Sequence, residues 1–467
     1  MLSSSPASEL FRGWRFLWQA RAGHYCAGLV RSCPVEVVVC MDDSPTHELI
    51  AAAAGTRFLD VERSRGRVVD DAAIEGLVPA VAGALSAAVR RRSSARWVAA
   101  AASTSASLRD FAAANGVLFA ANAPALVASL NDKACFLDAL AELGLPQLPG
   151  RWLRLSAARY PEIAAELGTT FVAQLARGAS GSGTAFIASE QDHAAVAARF
   201  GDRPVRVAPD LGQLSVNVNA LALERSVIVS CPSVQLAGLP LLGADRGMYC
   251  GNDFIAARAL PGRVTTAVTE QTARVGGWLA ARGFRGLYGL DFVVDQAHDA
   301  VYAVDLNPRW QGSTTLLTLA EAKAGRLPLA AAELAWRLGA LGEDDLRREA
   351  DTFFAPVHAA HLSLRAPAAG ASIVGGSLRP GVYSGAAEFL RTGFELTDCA
   401  RDDELLVSGG VPRCGARMGP TAHLVRIACE RRVLDLSTLQ PLPWCASPVA
   451  AIYGQLALRP AQGDGAS

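Results

Sequence analysis

Two apolar runs separated by a short polar break constrain this chain most, because they predict a β-hairpin that carries acidic side chains. The runs are Gly286–Asp295 and residues 301–309, and both are rich in Val, Leu and aromatic residues. The break between the first run and Ala300 has the length of a hairpin loop. Folding about this loop places Asp291 opposite position 304 or 305. Alternation along the second strand puts Asp305 and Asn307 on one face, so the three side chains are expected to converge.

Such a group of hard oxygen ligands suits Mg²⁺, which takes one or two carboxylates together with oxygens of a bound phosphate. The motif Asp305-Leu306-Asn307-Pro308-Arg309 is also compatible with an acidic strand end followed by an Asn-Pro turn. Taken alone, the motif does not separate these two interpretations. The segments before the hairpin favour metal binding.

The composition sets broad limits. The chain has 467 residues and 51% hydrophobic residues, enough for roughly two or three domains. Its 44 basic and 44 acidic residues give no net charge, so no nucleic-acid or membrane partner is expected. Ten Cys without metal-site spacing predict free thiols in a reducing cytoplasm. The N-terminus lacks a signal-peptide pattern, and we expect a cytoplasmic protein.

Lysine use singles out one position. Lys133 and Lys323 are the only lysines, and every other basic residue apart from histidine is Arg. Lys133 follows Asn131-Asp132, where a compact ammonium would suit a phosphate better than a guanidinium. The alternative is that Lys133 has no special role.

Alternating strands and helices predict an α/β domain with a parallel sheet over residues 1–125. The expected strands are 35–41, 57–61, 97–102 and 117–120, and the Trp-rich stretch within 1–30 is expected to be an amphipathic helix or arm. Residues 126–345 form a second domain. Short strand-like runs separated by Gly and Pro predict a mostly β third domain over 346–467. The fold class is therefore α/β and α+β.

The second domain has a distinctive order of elements. A helix over 126–143 ends at Gly144, and strand Phe171–Leu175 leads into a Gly/Ser loop over 177–184. Backbone amides of such a loop can approach an anion closely, although a flexible hairpin tip has the same composition. A strand over 205–210 and an irregular segment over 238–254 follow before the hairpin.

This order resembles the ATP-grasp superfamily over about residues 126–340, and within it the carboxylate–amine ligases that act on amino acids or peptides. The matching motifs are Asp132-Lys133, Gly144-Leu145-Pro146, strand Phe171–Leu175, the Gly/Ser loop, the 205–210 strand, Asp291 and Asp305-Leu306-Asn307-Pro308-Arg309.

The resemblance implies ATP and Mg²⁺ as cofactors and assigns roles to residues. Lys133 and Arg309 are the catalytic candidates: Lys133 contacts phosphates and Arg309 stabilises the charge that develops in the reaction, unless Arg309 forms a structural salt bridge. The implied nucleotide-binding set is Lys133, Gln174, Arg177, Ser180, Gly181, Ser182, Gly183, Val207, Ala208, Pro209 and Asp210, with the Ser180–Gly183 stretch as a lid. The implied metal ligands are Asp291, Asp305 and Asn307. Candidates for the substrate wall are Arg246, Tyr249, Asn252, Asp253 and Ser313.

Two residues depart from the family pattern. Gln174 stands where a second lysine is usual, and Arg177 is a candidate replacement for its charge. Asp305 is shorter than the usual Glu. These departures leave open a nucleotide-binding regulator without catalysis.

The expected function is an ADP-forming ligase that activates a carboxylate as an acyl phosphate for attack by an amine. Attack by a carrier-protein thiol, or bicarbonate as the acid in a biotin-carboxylase-like reaction, stays open. The expected partners are the small carboxylate and amine substrates, with a carrier protein or a second copy of the chain as further alternatives.

Overall fold

A five-stranded parallel sheet forms the N-terminal part of the chain. The computed structural model describes residues 9–65, 74–92, 94–178, 183–212 and 214–461. In spatial order the strands of this N-terminal sheet are Arg57–Asp60, Val35–Cys40, Trp14–Gln19, Arg96–Ala101 and Leu118–Phe119. The helices around it are Pro45–Ala54, Val61–Arg65, Leu77–Arg91 and Ala106–Ala114. The predicted parallel sheet of the α/β fold class is therefore confirmed.

The expectation of a helix or arm near the N-terminus is wrong. Trp14–Gln19 is the middle strand of the N-terminal sheet, and Phe16, Leu17 and Trp18 are fully buried. A strand covered on both faces is apolar along its length, so it does not show the alternation that marks a half-buried strand. Trp18 also packs on Trp310, with ring centroids 4.9 Å apart, and so links this sheet to the end of the hairpin.

An 11-stranded antiparallel sheet, called here the long sheet, runs through the rest of the molecule. Its strands in spatial order are Ala300–Asn307, Gly286–Asp295, Ser215–Ala222, Ser233–Ala237, Tyr249–Asp253, Ala360–Arg365, His423–Cys429, Leu405–Gly409, Gly381–Tyr383 and Phe389–Arg391, with Val227–Val229 paired to Ser215–Ala222. Tyr249–Asp253 lies in the middle, so the prediction of an irregular segment over 238–254 is wrong for these five residues. The C-terminal strands continue the same sheet across position 345.

A separate four-stranded antiparallel sheet, the small sheet, lies beside the long sheet. Its strand order is Arg151–Leu153, Val205–Pro209, Phe171–Leu175 and Thr184–Ile187. Its helices are Tyr160–Leu167 and Glu190–Phe200. The Gly/Ser loop connects its last two strands, as the sequence predicts.

The predicted single helix over 126–143 is two helices, Pro124–Leu130 and Lys133–Glu142. The break falls at Asp132, whose carboxylate accepts a hydrogen bond from the Ala134 backbone N–H at 2.9 Å and caps the second helix. Lys133 is therefore the first residue of a helix. Its position is fixed by the cap.

The remaining elements cover the long sheet or are short. The other helices are Phe254–Ala257, Gly262–Ala281, Thr314–Lys323, Leu329–Arg337, Glu343–Arg348, Ala350–Phe354 and Ala446–Leu456. The 3₁₀ turns are Gly23–Cys26, Ile74–Gly76, Leu155–Ala157, Pro240–Leu242, Leu396–Asp398 and Pro443–Cys445. Short strand pairs are formed by Ser372–Ile373, Arg417–Met418 and Arg459–Pro460, and by Leu434–Asp435 and Gln440–Pro441. Within the described part of the chain, no helix has the length and apolar character needed to cross a membrane.

Candidate active site

A cavity of about 480 Å³ brings together the long sheet, the small sheet and the N-terminal part. Its lining includes Asp291, Asp305 and Asn307 from the hairpin, Gln174, Gly178, Thr184 and Phe186 from the small sheet and its loop, and Arg21, Tyr25, Asn217, Gln235, Tyr249, Arg309, His423 and Arg426. Residues that are far apart in the sequence therefore face one space. Most of those with polar side chains can donate a hydrogen bond.

The hairpin has the register that the sequence predicts. Asp291 is the cross-strand partner of Asp305, and Gly289 is the partner of Asn307. Asn307 Nδ2 donates to the Asp291 carboxylate at 3.1 Å. The predicted convergence of the three side chains is thus confirmed.

The two carboxylates have different environments. Asp305 accepts a hydrogen bond from the Lys133 ammonium. Asp291 instead accepts from the neutral amides of Asn217, at 2.6 Å, and Asn307. Burial, followed by repulsion from Asp305, raises the pKa of Asp291 to about 6. Of the two carboxylates, Asp291 therefore has the negative charge that the protein compensates less.

This donor set fits Mg²⁺. Two carboxylates and one amide side chain lie together in the lining of the cavity, and a single ammonium hydrogen-bonds to one of the carboxylates. A cation between the carboxylates would remove the repulsion that raises the pKa of Asp291. Hard oxygen ligands in this number, with space beside them for phosphate oxygens, match the preference of Mg²⁺.

Lys133 lies between the hairpin and the Gly/Ser loop. Its side chain is only 11% exposed. Its backbone N–H donates to the Ala176 carbonyl at 3.1 Å, which ties the start of the helix to the strand that enters the loop. Arg177, by contrast, is largely exposed and pairs with Asp132 at 3.2 Å. In this conformation Arg177 does not replace a lysine in the cavity.

The base of the Gly/Ser loop is tightly packed. A Cβ added to Gly178 would lie 2.9 Å from the Gly183 Cα, so the two glycines touch where the loop begins and ends. Gln174 lines the cavity and donates to the Thr184 hydroxyl at 3.2 Å. Ser180, Gly181 and Ser182 lie outside the described residues, and their role stays a prediction.

The 205–210 strand contributes less than the sequence suggests. Val207, Ala208 and Pro209 do not line the cavity, and Val207 and Ala208 are buried in the small sheet. The Asp210 carboxylate accepts a hydrogen bond from Arg246, whose guanidinium also lies 4.5 Å from the centre of the Phe186 ring. Arg246 is therefore not placed to meet a substrate carboxylate, because it already binds an acid of the chain.

The other predicted substrate residues divide into one that lines the cavity and three that support it. Tyr249 lines it, and its hydroxyl donates to Asn252 Oδ1 at 2.6 Å. Asp253 is buried and accepts backbone hydrogen bonds from Ala256, Val433 and Leu434 at 2.7, 2.8 and 3.1 Å. Asp253 therefore joins a helix start to the C-terminal strands.

A buried polar network stands behind Asp291. The Ser313 hydroxyl donates to Asn217 Oδ1, and Asn217 in turn donates to Asp291. Gln311 Nε2 also donates to Asn217 Oδ1, at 3.1 Å. Ser313 thus acts through Asn217. The sequence pattern that indicates this network is Ser215-Val216-Asn217-Val218-Asn219, in which polar residues alternate with Val. Both faces of this strand are buried, so its polar side chains need buried partners.

Three arginines line the cavity without a carboxylate partner among the described residues: Arg21, Arg309 and Arg426. Arg309 donates to the Trp310 carbonyl at 2.8 Å, and Arg426 donates to the Tyr25 hydroxyl at 3.2 Å. Sequence reasoning missed Arg21 and Arg426, which come from the N-terminal part and from a C-terminal strand. Three guanidinium groups in the lining of one cavity make it attractive to an anion.

Comparison with solved structures identifies the fold. The biotin carboxylase domain of Hydrogenobacter thermophilus 2-oxoglutarate carboxylase, solved with MgADP, ADP and bicarbonate, matches with a TM-score of 0.56 and 12% identity, over 90% of this chain and 86% of that one. Campylobacter jejuni biotin carboxylase, solved with β-γ-ATP, matches with a TM-score of 0.56 and 13% identity, over 90% of this chain and 87% of that one. Carboxyaminoimidazole ribonucleotide synthase from Aspergillus clavatus, solved with ATP, matches with a TM-score of 0.54 and 13% identity, over 90% of this chain and 94% of that one.

The chain therefore has the fold of the ATP-grasp enzymes, as the order of its motifs predicts. The similarity extends over 90% of the chain in each of the three comparisons. No protein-family model and no curated protein sequence matches it.

Proposed function

We propose that the protein is an ADP-forming ligase that uses ATP and Mg²⁺ to activate a carboxylate for attack by an amine. One observation carries the proposal: Lys133 pairs with Asp305 beside Asp291 and Asn307, and these three hairpin side chains line one cavity with three arginines that have no acidic partner among the described residues. A metal–phosphate site beside an anion site is what the transfer of a phosphoryl group to a carboxylate requires.

The residues divide the work as follows. Mg²⁺, when bound, neutralises phosphate charge beside the two carboxylates. Lys133 moves from Asp305 to phosphate oxygens, and Arg309 and Arg426 hold the carboxylate of the acid. A carboxylate oxygen attacks the γ-phosphorus and ADP leaves. The amine nitrogen then attacks the acyl carbon, phosphate leaves, and the amine loses a proton.

The fold comparisons support ATP as the nucleotide. The three solved structures compared above were obtained with ATP, with ADP and MgADP, or with β-γ-ATP. Two carboxylates that line the cavity, one of them paired with Lys133, match that chemistry in this chain. Gln174 provides a hydrogen-bond donor where the family pattern has a second positive charge, so Lys133 carries more of the phosphate charge here.

Hydroxylamine trapping tests the proposal. Purified protein is incubated with ATP, Mg²⁺, hydroxylamine and pools of amino acids and other small acids. We expect ADP release only in pools that contain the correct acid, with one hydroxamate formed per ADP. AMP and pyrophosphate as products would overturn the reaction path. ATP binding without turnover in every pool would favour the alternative of a nucleotide-binding regulator.

The anion site has its own test. Arg426→Met should raise the KM for the acid about tenfold or more and leave ATP binding nearly unchanged, because a charge-assisted hydrogen bond to substrate is lost. Arg258→Met, at an exposed position that does not line the cavity, is the matched control. Equal effects of Arg426→Met on ATP and on the acid would place Arg426 elsewhere in the reaction.

Bicarbonate is the second candidate for the acid. The observation in its favour is that two of the three solved structures compared above are biotin carboxylases, one of them in complex with bicarbonate. Bicarbonate-dependent ADP release, with no other acid present, would select this alternative. Dependence on an organic acid in bicarbonate-depleted buffer would exclude it.

A further inference from the structure

Cys40, His47 and Asp60 form a compact buried cluster in the N-terminal part, separate from the residues that line the cavity. One ligand atom from each lies within 4.8 Å of the others. The Cys40 thiol and the Asp60 carboxylate are 3.1 Å apart, and His47 Nδ1 is 3.1 Å from the same carboxylate oxygen. We propose that this cluster binds a zinc ion.

The fold brings the three ligands together from consecutive elements. Cys40 ends strand Val35–Cys40, and Asp60 ends the neighbouring parallel strand Arg57–Asp60. The carboxyl ends of parallel strands lie at the same edge of a sheet, so these two side chains meet there. His47 lies in the first turn of the helix that connects the strands and points back over the same edge.

The distances and ligand types fit zinc. Tetrahedral Zn²⁺ has bonds of about 2.0 Å to His, about 2.3 Å to Cys and about 2.1 Å to Asp, which places neighbouring ligand atoms roughly 3.3 to 3.8 Å apart. The two separations of 3.1 Å need an outward shift of only a few tenths of an ångström. A set of one sulfur, one imidazole and one carboxylate also suits this borderline ion better than Mg²⁺ or Ca²⁺.

A second, independent observation points to a ligand. His47 is 2% exposed, and its Nε2 has no hydrogen-bond partner among the described residues, while its Nδ1 contacts only the Asp60 carboxylate, at 3.1 Å and without hydrogen-bond geometry. Buried polar groups in proteins are normally satisfied, so a buried imidazole with this arrangement needs an explanation. A metal on Nδ1 accounts for the nitrogen that faces Asp60.

A carboxylate lies near the other ring nitrogen, His47 Nε2, and can accept a hydrogen bond from it. The Asp42 Oδ2 atom lies 3.7 Å from His47 Nε2 and also lacks a hydrogen-bond partner among the described residues. Its second oxygen accepts from the Gly23 backbone N–H at 2.8 Å, which fixes the carboxylate. A metal-bound His commonly donates its free N–H to such a carboxylate. The His47 ring also stacks on Phe58, with centroids 4.3 Å apart.

Metal analysis of the full chain tests the proposal. After expression with zinc and removal of loosely bound metal, elemental analysis should find one zinc per chain. Cys40→Ala should reduce this to near zero. Cys33→Ala is the matched control, because Cys33 is a buried thiol of the same domain outside the cluster, and it should keep one zinc. Absence of zinc from the wild-type protein, even after reconstitution, would overturn the proposal.

Spectroscopy of the wild-type chain covers the case in which Cys40→Ala fails to fold. The zinc absorption edge should show one sulfur among nitrogen and oxygen ligands, and cobalt substitution should give the ultraviolet band of a single thiolate. Two or more sulfur ligands, or none, would place the metal at another site and contradict the assignment. Equal zinc content in Cys40→Ala and Cys33→Ala would do the same.

Discussion

Asp291 and Asp305 lie directly opposite each other on neighbouring strands, yet only Asp305 is paired with a lysine. The Asp291 carboxylate faces neutral amides, and burial with repulsion from Asp305 raises its pKa to about 6. The two acids therefore contribute differently to a metal site. At Asp291, protons compete with the metal near neutral pH. At Asp305, the Lys133 ammonium competes with the metal.

This asymmetry predicts how the Mg²⁺ requirement depends on pH. The charged form of Asp291 binds the metal, and this form is lost as the pH falls through about 6. The Mg²⁺ concentration for half-maximal turnover should therefore rise several-fold between pH 7.5 and pH 5.5 in the wild-type protein. Asp291→Asn should require more Mg²⁺ at every pH and lose most of this pH dependence.

The matched control for Asp291→Asn is Asp299→Asn. Asp299 lies at the tip of the hairpin, is exposed, and has a φ of 54°, a conformation that Asn tolerates well. It should leave the Mg²⁺ requirement unchanged. An Asp291→Asn variant with the wild-type pH profile would show that Asp291 does not bind the metal.

Lys133 is expected to bind nucleotide rather than stabilise the fold. Lys133→Met should weaken ATP binding at least tenfold and abolish turnover. The Lys133 ammonium is the only one, among the described residues, that contacts a proposed metal ligand, Asp305. The melting temperature of the variant should stay within a few degrees of the wild-type value, because the Asp305 carboxylate that loses its partner is 33% exposed and stays solvated. Isothermal titration and thermal unfolding measure the two quantities.

Lys323→Met serves as the control for the loss of a lysine. Lys323 donates to the Cys399 carbonyl at 2.6 Å and pairs with Glu430 at 3.3 Å, so its contacts are between structural elements. This variant should lose some stability and retain ATP affinity. The reverse pattern, with Lys133→Met unstable and still binding ATP, would contradict the assigned role.

The hairpin site was predictable because its determinants are local. Two apolar runs and a loop set a register that pairs Asp291 with position 304 or 305, and a shift in the pairing between Asp291 and Phe292 selects Asp305. The Asp132 cap and Lys133 are likewise adjacent in sequence. Local patterns of this kind fix geometry through hydrogen bonding of neighbouring residues.

The rest of the cavity depends on long-range packing. Arg21 and Arg426 are about four hundred positions apart, and their approach follows from how the N-terminal sheet packs against the long sheet. The placement of Arg246 against Asp210 depends in the same way on two segments that no periodicity connects. The Trp14–Gln19 strand was missed for a different reason, because a strand buried on both faces has no alternation to detect.

Glu321 predicts a pH dependence of stability that is independent of the active site. It is buried, and burial raises its pKa to about 8, above the usual value of 4.5. The folded protein therefore holds a proton that the unfolded chain loses between these values, and the free energy of unfolding falls as pH rises through this range, by about 1.4 kcal/mol per pH unit. Glu321→Gln keeps the neutral form at every pH.

Between pH 5 and pH 8, the free energy of unfolding of Glu321→Gln should therefore rise relative to that of the wild-type protein by about 2 to 4 kcal/mol. Denaturant unfolding at several pH values measures the difference. Glu388→Gln, at an exposed position, is the control and should show no such trend. Parallel pH profiles for Glu321→Gln and wild type would mean that Glu321 is ionised in the folded state.

The packed glycines at the base of the Gly/Ser loop predict how well ATP use is coupled to product formation. A Cβ on Gly178 would lie 2.9 Å from the Gly183 backbone, whereas a Cβ on Gly183 would lie 3.2 Å from the Gly178 backbone. Both substitutions push the ends of the loop apart, and Gly178→Ala does so more. If the loop covers the phosphates as proposed, an opened loop admits water to the acyl phosphate.

We therefore expect ADP to exceed hydroxamate in both variants, by about twofold or more in Gly178→Ala and by less in Gly183→Ala. ATP affinity should change less than this ratio, because the loop protects the intermediate more than it holds the nucleotide. Gly83→Ala, in a helix where an added Cβ meets no atom within 4 Å, is the control. A ratio of one in Gly178→Ala, or a larger excess in Gly183→Ala, would show that the base of the loop does not control access of water.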